Sequence, residues 1–339
     1  MKVLYAIQGT GNGHISRARD IVPILQDKVN LDLLISGIQA DVSLPYPVKY
    51  QLKGAGFIFG KSGGVDLMRT YRKTDTRRFL KDVRNLPING YDLIINDFEP
   101  ISAWAAYFNK VPSVSLSHQS AILNENAPQP RKKDPVGRAI LKNYAPTDQA
   151  YGFHFAKFDK NIFTPVIRHQ LRQTEVQNLG HYTVYLPAFD DQKLIKRLRT
   201  IKDIFWQVFS KHSKKAYRES NVQITPVNNE QFIQSMTSCE GVLCGAGFET
   251  PAEALFLKKK LLVIPMKNQY EQHCNAAALE ALGVPVLKNF KKKQRPVLQK
   301  WIEQLQPIEA DYPDDTERII EMVLKEGRRI GDLGWKKRV

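Results

Sequence analysis

Cysteine is scarce in this chain, with Cys239, Cys244 and Cys274 the three among 339 residues. A disulfide scaffold is excluded, and the Cys239 to Cys244 spacing has no companion Cys/His cluster of zinc-ligand type. Long apolar runs are missing too. No stretch approaches the ~20 apolar residues that cross a bilayer, and Val3–Gln8, stopped by Gly9, is too short for a signal-peptide core. Acidic residues are in deficit, 34 against 50 Lys plus Arg, for a formal charge of +16. That balance favours anionic partners such as nucleotides, phospholipid surfaces or nucleic acids. With 42% hydrophobic and 25% charged residues, the composition is globular rather than disordered. The expected setting is a reducing cytoplasm, with any membrane contact peripheral, on the inner face.

At ~100–200 residues per domain the length suggests two domains. Short apolar runs alternate with amphipathic segments, the pattern of a parallel sheet covered by helices. Strands are expected at Lys2–Ile7, Leu31–Ser36, Asp92–Asn96 and Ser113–Leu116, then at Tyr182–Pro187, Ile204–Phe209, Val222–Thr225, Gly241–Cys244 and Leu261–Pro265. The series restarts near Tyr182 after the polar stretch Asn124–Asp148. Two α/β domains joined around residues 150–165 follow, at 1–158 and 159–325, with a basic tail at 326–339. Ligands of such sheets collect beyond the carboxyl ends of strands. This directs attention to Gln8–His14, Asp97–Glu99, Ser117–Gln119, Gly245–Glu253 and Met266–Gln272.

After the first strand, Gly9-Thr10-Gly11-Asn12-Gly13-His14 opens a helix through Ala18, Ile21 and Leu25, which Pro23 can kink. Its glycines let backbone N–H groups approach a ligand, and a helix amino end favours negative charge. A dinucleotide fingerprint would need glycine where His14 stands and an acid where Ser36-Gly37 stands. Gly60-Lys61-Ser62 looks like the tail of a Walker loop, but Ala55 occupies its first glycine position, so a flexible basic loop is the simpler account. The second cluster, Cys244-Gly245-Ala246-Gly247-Phe248-Glu249-Thr250-Pro251-Ala252-Glu253, follows an apolar strand. Thr250 and Glu253 have capping-box spacing, with Pro251 at the first helical position. Capping alone leaves Gly245 and Gly247 unexplained, whereas a bare helix amino end suits a pyrophosphate.

Gly247-Phe248-Glu249-Thr250 with Glu253, then Ile264-Pro265, then Gln269-Tyr270-Glu271-Gln272 with Asn275-Ala276, resembles the nucleotide-sugar region of GT-B glycosyltransferases. The likeness is to the group of UDP-glycosyltransferases and the peptidoglycan UDP-GlcNAc transferase. The loop at residues 9–14 resembles that group's first glycine loop, and Ser117-His118-Gln119 its acceptor-side loop. The resemblance implies a GT-B architecture, two Rossmann-like doubly wound domains facing a central cleft. It implies that Gly245, Ala246, Gly247, Phe248, Glu249 and Thr250 hold the donor diphosphate, and that Glu253 accepts hydrogen bonds from the ribose. It places Val227 where main chain reads the base, without the aromatic residue that plant relatives stack on uracil. Gln269, Glu271 and Gln272 would hold the donor sugar, and Gly11, Asn12, Gly13, His118 and Gln119 would face the acceptor. No metal and no cofactor beyond the nucleotide-sugar co-substrate is implied.

Glycosyl transfer to a hydroxyl needs a proton acceptor at the attacking oxygen. His14, directly after the glycine loop, is the best-placed titratable residue, since an imidazole of ordinary pKa ~6.5 is mostly neutral at cytoplasmic pH. A lone histidine is more often structural; its place and the resemblance raise it above the other six. Asp97 at a strand end could orient it, as in carboxylate–imidazole pairs, against the plainer reading of a helix cap. Glu99 is the rival for either role. Inversion at the anomeric carbon is implied by the resemblance alone.

Lys53–Arg84 carries nine Lys/Arg against Asp66, Asp75 and Asp82. With Phe57, Ile58 and Phe59, with Arg131-Lys132-Lys133, and with the tail Arg328-Arg329 to Trp335-Lys336-Lys337-Arg338, it suggests an anionic membrane surface and a lipid-linked acceptor. A solvated basic face is the bland alternative. The expected activity is transfer from a nucleotide sugar, UDP-linked, to a hydroxyl of a glycolipid or surface-polysaccharide precursor. Alternatives are a UDP-sugar 2-epimerase or hydrolase of the same fold, whose Gly-Thr-Arg-Pro-Glu stretch is absent, and a basic nucleic-acid-binding protein, for which no module is visible.

Overall fold

The structure, a computed structural model, describes residues 1–10, 12–37, 43–54 and 75–333. Gly11, the Walker-like Gly60-Lys61-Ser62, the apolar Phe57-Ile58-Phe59 and the terminal Trp335–Arg338 lie outside the described residues. The first lobe is a seven-stranded sheet of β1 (Lys2–Gln8), β2 (Asn30–Ser36), β3 (Tyr50–Leu52), β4 (Leu93–Asp97), β5 (Ser113–Leu116), β6 (Gln149–Phe153) and β7 (Ile162–Phe163). Its order is β3-β2-β1-β4-β5-β6-β7, every pairing parallel. Between the strands run α1 (Asn12–Lys28), α2 (Thr76–Asn85), α3 (Pro100–Asn109), α4 (His118–Leu123) and α5 (Pro135–Tyr144). Val3 to Ile7 and Leu93 to Ile95 are wholly buried, because helices cover both faces of the sheet. Leu4, Ala6 and Ile94 pack with Ile101 and Ala105 of α3, whereas Val3, Tyr5 and Ile95 pack with Ile15, Ile21 and Leu25 of α1. Alternate residues thus feed opposite layers.

The second lobe follows α6 (His169–Arg172). It has six strands, β8 (Tyr182–Tyr185), β9 (Trp206–Ser210), β10 (Tyr217–Glu219), β11 (Val222–Pro226), β12 (Gly241–Gly245) and β13 (Lys260–Ile264), in the order β10-β11-β9-β8-β12-β13. Only β10 runs antiparallel. Its described helices are α7 (Asp191–Leu198), α8 (Asn229–Ser238), α9 (Glu249–Phe256), α10 (Tyr270–Ala281), α11 (Arg295–Gln304) and α12 (Thr316–Leu333). Strand order reverses between β1 and β4 in one lobe and between β8 and β12 in the other. Both switch points open ligand crevices at the carboxyl ends of their strands.

Every strand expected from the sequence is present, with ends moved by one or two residues. The stretch expected to join the domains instead holds β6 and β7, so the first sheet continues to Phe163, beyond residue 158. Short strands with polar ends carry little periodic signal. The segment expected as a basic tail from 326 is, through Leu333, the second half of α12, which returns to the first lobe. Lys28 of α1 bridges Glu317 and Glu321 at 2.7 and 2.8 Å. Gly327 permits the closest approach: a Cβ there would meet Leu93 Cδ2 at 2.4 Å. Pro23 lies inside α1 without interrupting it.

Candidate active site

Both lobes contribute to one cleft of about 760 Å³, lined by Thr10, Asn12, Gly13, His14 and Arg17 on one side and by Gly247 to Thr250 and Glu253 on the other. The β1 loop opens α1, whose amino end carries His14. His14 Nδ1 lies 2.8 Å from Asp97 Oδ1 at the end of β4. Arg17, one turn further along α1, places Nη2 at 2.9 and 3.0 Å from the two Asp97 oxygens. Burial alone would raise the Asp97 carboxyl, but Arg17 and His14 outweigh it and hold the group below the usual carboxylate range. An ionised carboxylate only accepts. The shorter contact, to Asp97, therefore places the proton on Nδ1, with Arg17 Nη2 a longer 3.2 Å from the same nitrogen, and leaves the Nε2 lone pair for another partner.

Glu99 does not join this pair. It is wholly buried, receives Ser36 Oγ at 2.5 Å, and caps α3 by accepting from the N–H groups of Ile101 and Ser102 at 2.8 and 2.6 Å. Three donors inside the core remove it as a candidate base; it takes the capping role weighed for Asp97. Between them Phe98 adopts φ of 57°, a left-handed conformation costing about 1–2 kcal/mol for a non-glycine residue. Its ring packs 4.7 Å from Tyr144, so the turn that presents Asp97 is held from behind.

Across the cleft, α9 starts at Glu249 with Phe248 as its cap residue and no side-chain cap bond. This corrects the capping box expected at Thr250 and Glu253. Glu253 instead accepts Arg168 Nε and, at 2.8 Å, Nη2, while Arg168 Nη1 donates to Asn229 at 2.9 Å. Two charge-assisted bonds outweigh one cap to a neutral N–H. Thr250 is the second helical residue. A Cβ on Gly247 would meet nothing within 4 Å, so this backbone stands bare toward the cleft.

Gln272 Oε1 accepts the Met266 N–H at 2.8 Å, and Glu271 accepts from Gln119 Nε2 at 3.2 Å across the lobes. Gln119 Oε1, Gln269 Oε1, Gln8 Oε1 and Thr10 Oγ1 are buried without a protein partner. Such atoms are costly unless something polar meets them. His118 is enclosed at both ring nitrogens: Nδ1 stands 2.8 Å from Phe153 O and Nε2 2.6 Å from Asn275 Oδ1, with the ring stacked 3.8 Å from Phe248. Burial lowers its pKa. It joins the lobes. Val227 lines the cleft, its N–H spent on Ser210 O at 3.1 Å. Among the described residues no group of three or more His, Cys, Asp or Glu is arranged to hold a metal ion.

A family model described as Glycosyl transferase family 1 matches residues 1–306. The chain belongs to this family. No match was found among curated proteins. Among solved structures, this family 1 glycosyltransferase is similar to S. aureus MnaA with UDP, at 12% identity and a TM-score of 0.63, covering 97% of this chain and 98% of that one. It is similar to Acinetobacter baumannii MurG at 13% and 0.53, covering 96% and 99%. It is also similar to Phytolacca americana UGT2 at 12% and 0.54, covering 98% and 93%. At such identities the likeness concerns the fold, two Rossmann-like domains of GT-B type.

The cleft residues of this glycosyltransferase that were not singled out by the sequence include Arg17, Arg168 and the aromatic pair member Phe232, whose ring lies 5.6 Å from Tyr185 in the wall that includes Val227. Arg17 had a local signal, since it is three residues after His14 and four after Gly13 on one helix face. Gly13 is itself constrained, because a Cβ would come within 3.0 Å of Glu249 Cγ. Arg168 had none: its partners Glu253 and Asn229 are 85 and 61 residues away.

Proposed function

We propose that this glycosyltransferase moves a sugar from a UDP-linked donor to a hydroxyl of a glycolipid or surface-polysaccharide precursor, by direct displacement with inversion at the anomeric carbon. The observation that carries the reading is the His14 imidazole, its Nδ1 proton held by Asp97, in the same cleft as the bare amino end of α9. The acceptor oxygen attacks the anomeric carbon as His14 Nε2 takes its proton. The bond from that carbon to the β-phosphate oxygen breaks, and UDP departs with the electron pair. N–H groups at Gly245–Thr250 and the α9 dipole stabilise that charge. Glu253 retains lone pairs for ribose hydroxyls beside Arg168, while Gln269, Glu271 and Gln272 hold sugar hydroxyls. Support for the donor comes from similar folds seen with UDP, UDP-2fluoro-glucose and dTDP.

A ledge on the first lobe supports a membrane-borne acceptor. Trp104, Tyr107 and Phe108 of α3 form a ring cluster with centroids 5.6–5.7 Å apart, and Tyr107 and Phe108 are more than half exposed. The neighbouring α2 carries Arg77, Arg78, Lys81 and Arg84. Aromatic rings beside bases suit an anionic lipid interface, at about 1 kcal/mol per adsorbed basic residue. No described helix is long and apolar enough to cross a membrane. A thermal-shift screen of UDP, GDP and dTDP, followed by transfer assays and the anomeric configuration of the product, tests the chemistry. Selective stabilisation by UDP is expected; retention of configuration, or no response to any nucleotide, overturns it. Vesicle pelleting that ignores anionic lipid removes the membrane part alone.

A further inference from the structure

Arg17 makes contacts that the folding of α1 does not require. Its side chain is 1% exposed, Nη2 engages both oxygens of Asp97, and Nη1 reaches Glu249 Oε1 at 2.5 Å. The two carboxylates belong to different lobes, Asp97 ending β4 and Glu249 opening α9. A buried ion pair is weak evidence for stability, because apolar residues of similar volume often serve as well. The geometry has two chemical consequences. Asp97 Oδ1 is shared between Arg17 and His14 Nδ1, and a carboxylate already neutralised by a guanidinium pulls less on an imidazole proton. The same guanidinium ties the imidazole's support to the amino end of α9.

We propose that Arg17 is a positioning residue that sets the basicity of the His14–Asp97 pair and holds it in register with the donor lobe through Glu249. The inference rests on His14 being the base. The charged and titratable groups facing the pair are Arg17 from α1, Glu249 from α9 and Tyr5 from β1, whose hydroxyl burial and Asp97 keep protonated, with Glu253 and Arg168 behind Glu249. Burial pushes Glu249 up to about 7 in spite of Arg17, so the strength of the link between lobes varies in the neutral range.

The test compares Arg17→Gln, Arg17→Lys and Glu249→Gln for UDP affinity, KM, kcat and the pH profile of kcat/KM. Arg17→Gln is expected to keep UDP affinity and to lose about 100-fold in kcat, the scale of a misplaced catalytic group. Without the cation the protonated imidazole is favoured, so the acid limb of kcat/KM moves to higher pH by about one unit, tenfold in proton affinity. Arg17→Lys restores the limb but not the full kcat, since an ammonium lacks the planar fork. Glu249→Gln cuts the arm between lobes and removes a carboxyl that itself sits at about 7, so it lowers kcat and moves the limb less than Arg17→Gln does. Normal activity in Arg17→Gln, a fall in kcat with the limb unmoved, or loss of UDP affinity in proportion overturns the proposal. Should Arg17→Gln not fold, Arg17→Met is the second neutral variant, read by the same fall in kcat and the same movement of the limb. Failure of the base reading is separate: His14→Gln would then retain transfer, whereas an inactive His14→Gln beside a normal Arg17→Gln sinks this proposal only.

Discussion

Changing Asp97 to asparagine perturbs the pair with almost no change of shape. The native carboxylate accepts His14 Nδ1 at 2.8 Å and Arg17 Nη2 at 2.9 and 3.0 Å, wholly buried. An amide offers one acceptor and one donor group. The amide oxygen, in the Oδ2 place, still accepts from Arg17 Nη2, and the NH2, in the Oδ1 place that His14 shares, faces the imidazole. The imidazole then accepts at Nδ1 and carries its proton on Nε2, the tautomer that cannot remove a proton from a hydroxyl. By analogy with the orienting aspartate of Ser-His-Asp triads, the loss in kcat is about 10⁴-fold, or about 5.4 kcal/mol at 1.36 kcal/mol per decade. Stability falls as well, by about 3 kcal/mol, the low end for breaking a buried pair, because Glu249 keeps one arm of Arg17. The assay is UDP release at saturating donor, with UDP thermal shift as the binding control. Asp97→Asn that binds UDP and transfers within a few-fold of the parent would refute the tautomer argument.

Three further outcomes are expected. His14→Ala keeps UDP affinity and loses transfer, whereas Glu253→Ala weakens UDP binding and leaves Arg168 unpaired; titration calorimetry beside turnover separates the two, and the reverse pattern undoes both assignments. The raised Glu249 carboxyl means that, between its ordinary value of 4.5 and about 7, the folded chain holds a proton that the unfolded chain has released. Its contribution therefore destabilises the fold as pH rises through that window; the melting temperature of Glu249→Gln relative to the parent should climb from pH 5 to pH 8, and a flat difference counts against the shift. Gly327→Ala overpacks α12 against Leu93, costing about 1–3 kcal/mol, seen as a lower melting temperature; an unchanged one would mean that this helix is not clamped there.

Much of the architecture was legible because parallel strands buried on both faces must be continuous apolar runs. Lys2–Gln8 and Leu93–Asp97 stand out for that reason. The strand-end rule points to His14, Asp97 and Gly245–Glu253 from the sequence, since ligand crevices form where strands finish. The start of α9 departs from its local pattern, because Thr250 and Glu253 satisfy a cap rule that Arg168 overrides from a distance. Glu99 looked equivalent to Asp97 in sequence, two positions along. Yet the turn at Phe98 sends one carboxylate to His14 and the other into the core beneath Ser36.

Local patterning by itself determined the α/β class, the two sheets, the glycine loops and the residue types available for chemistry, because burial periodicity and turn preferences act over a few residues. Only the tertiary structure decided the partners of those residues. The Arg17–Glu249 and Arg168–Glu253 pairs join positions 232 and 85 apart, and the return of α12 sets the end of the chain against its beginning. Charge pairing depends on distance in space, and no short-range pattern encodes which of fifty cations will meet which of thirty-four anions once the lobes close.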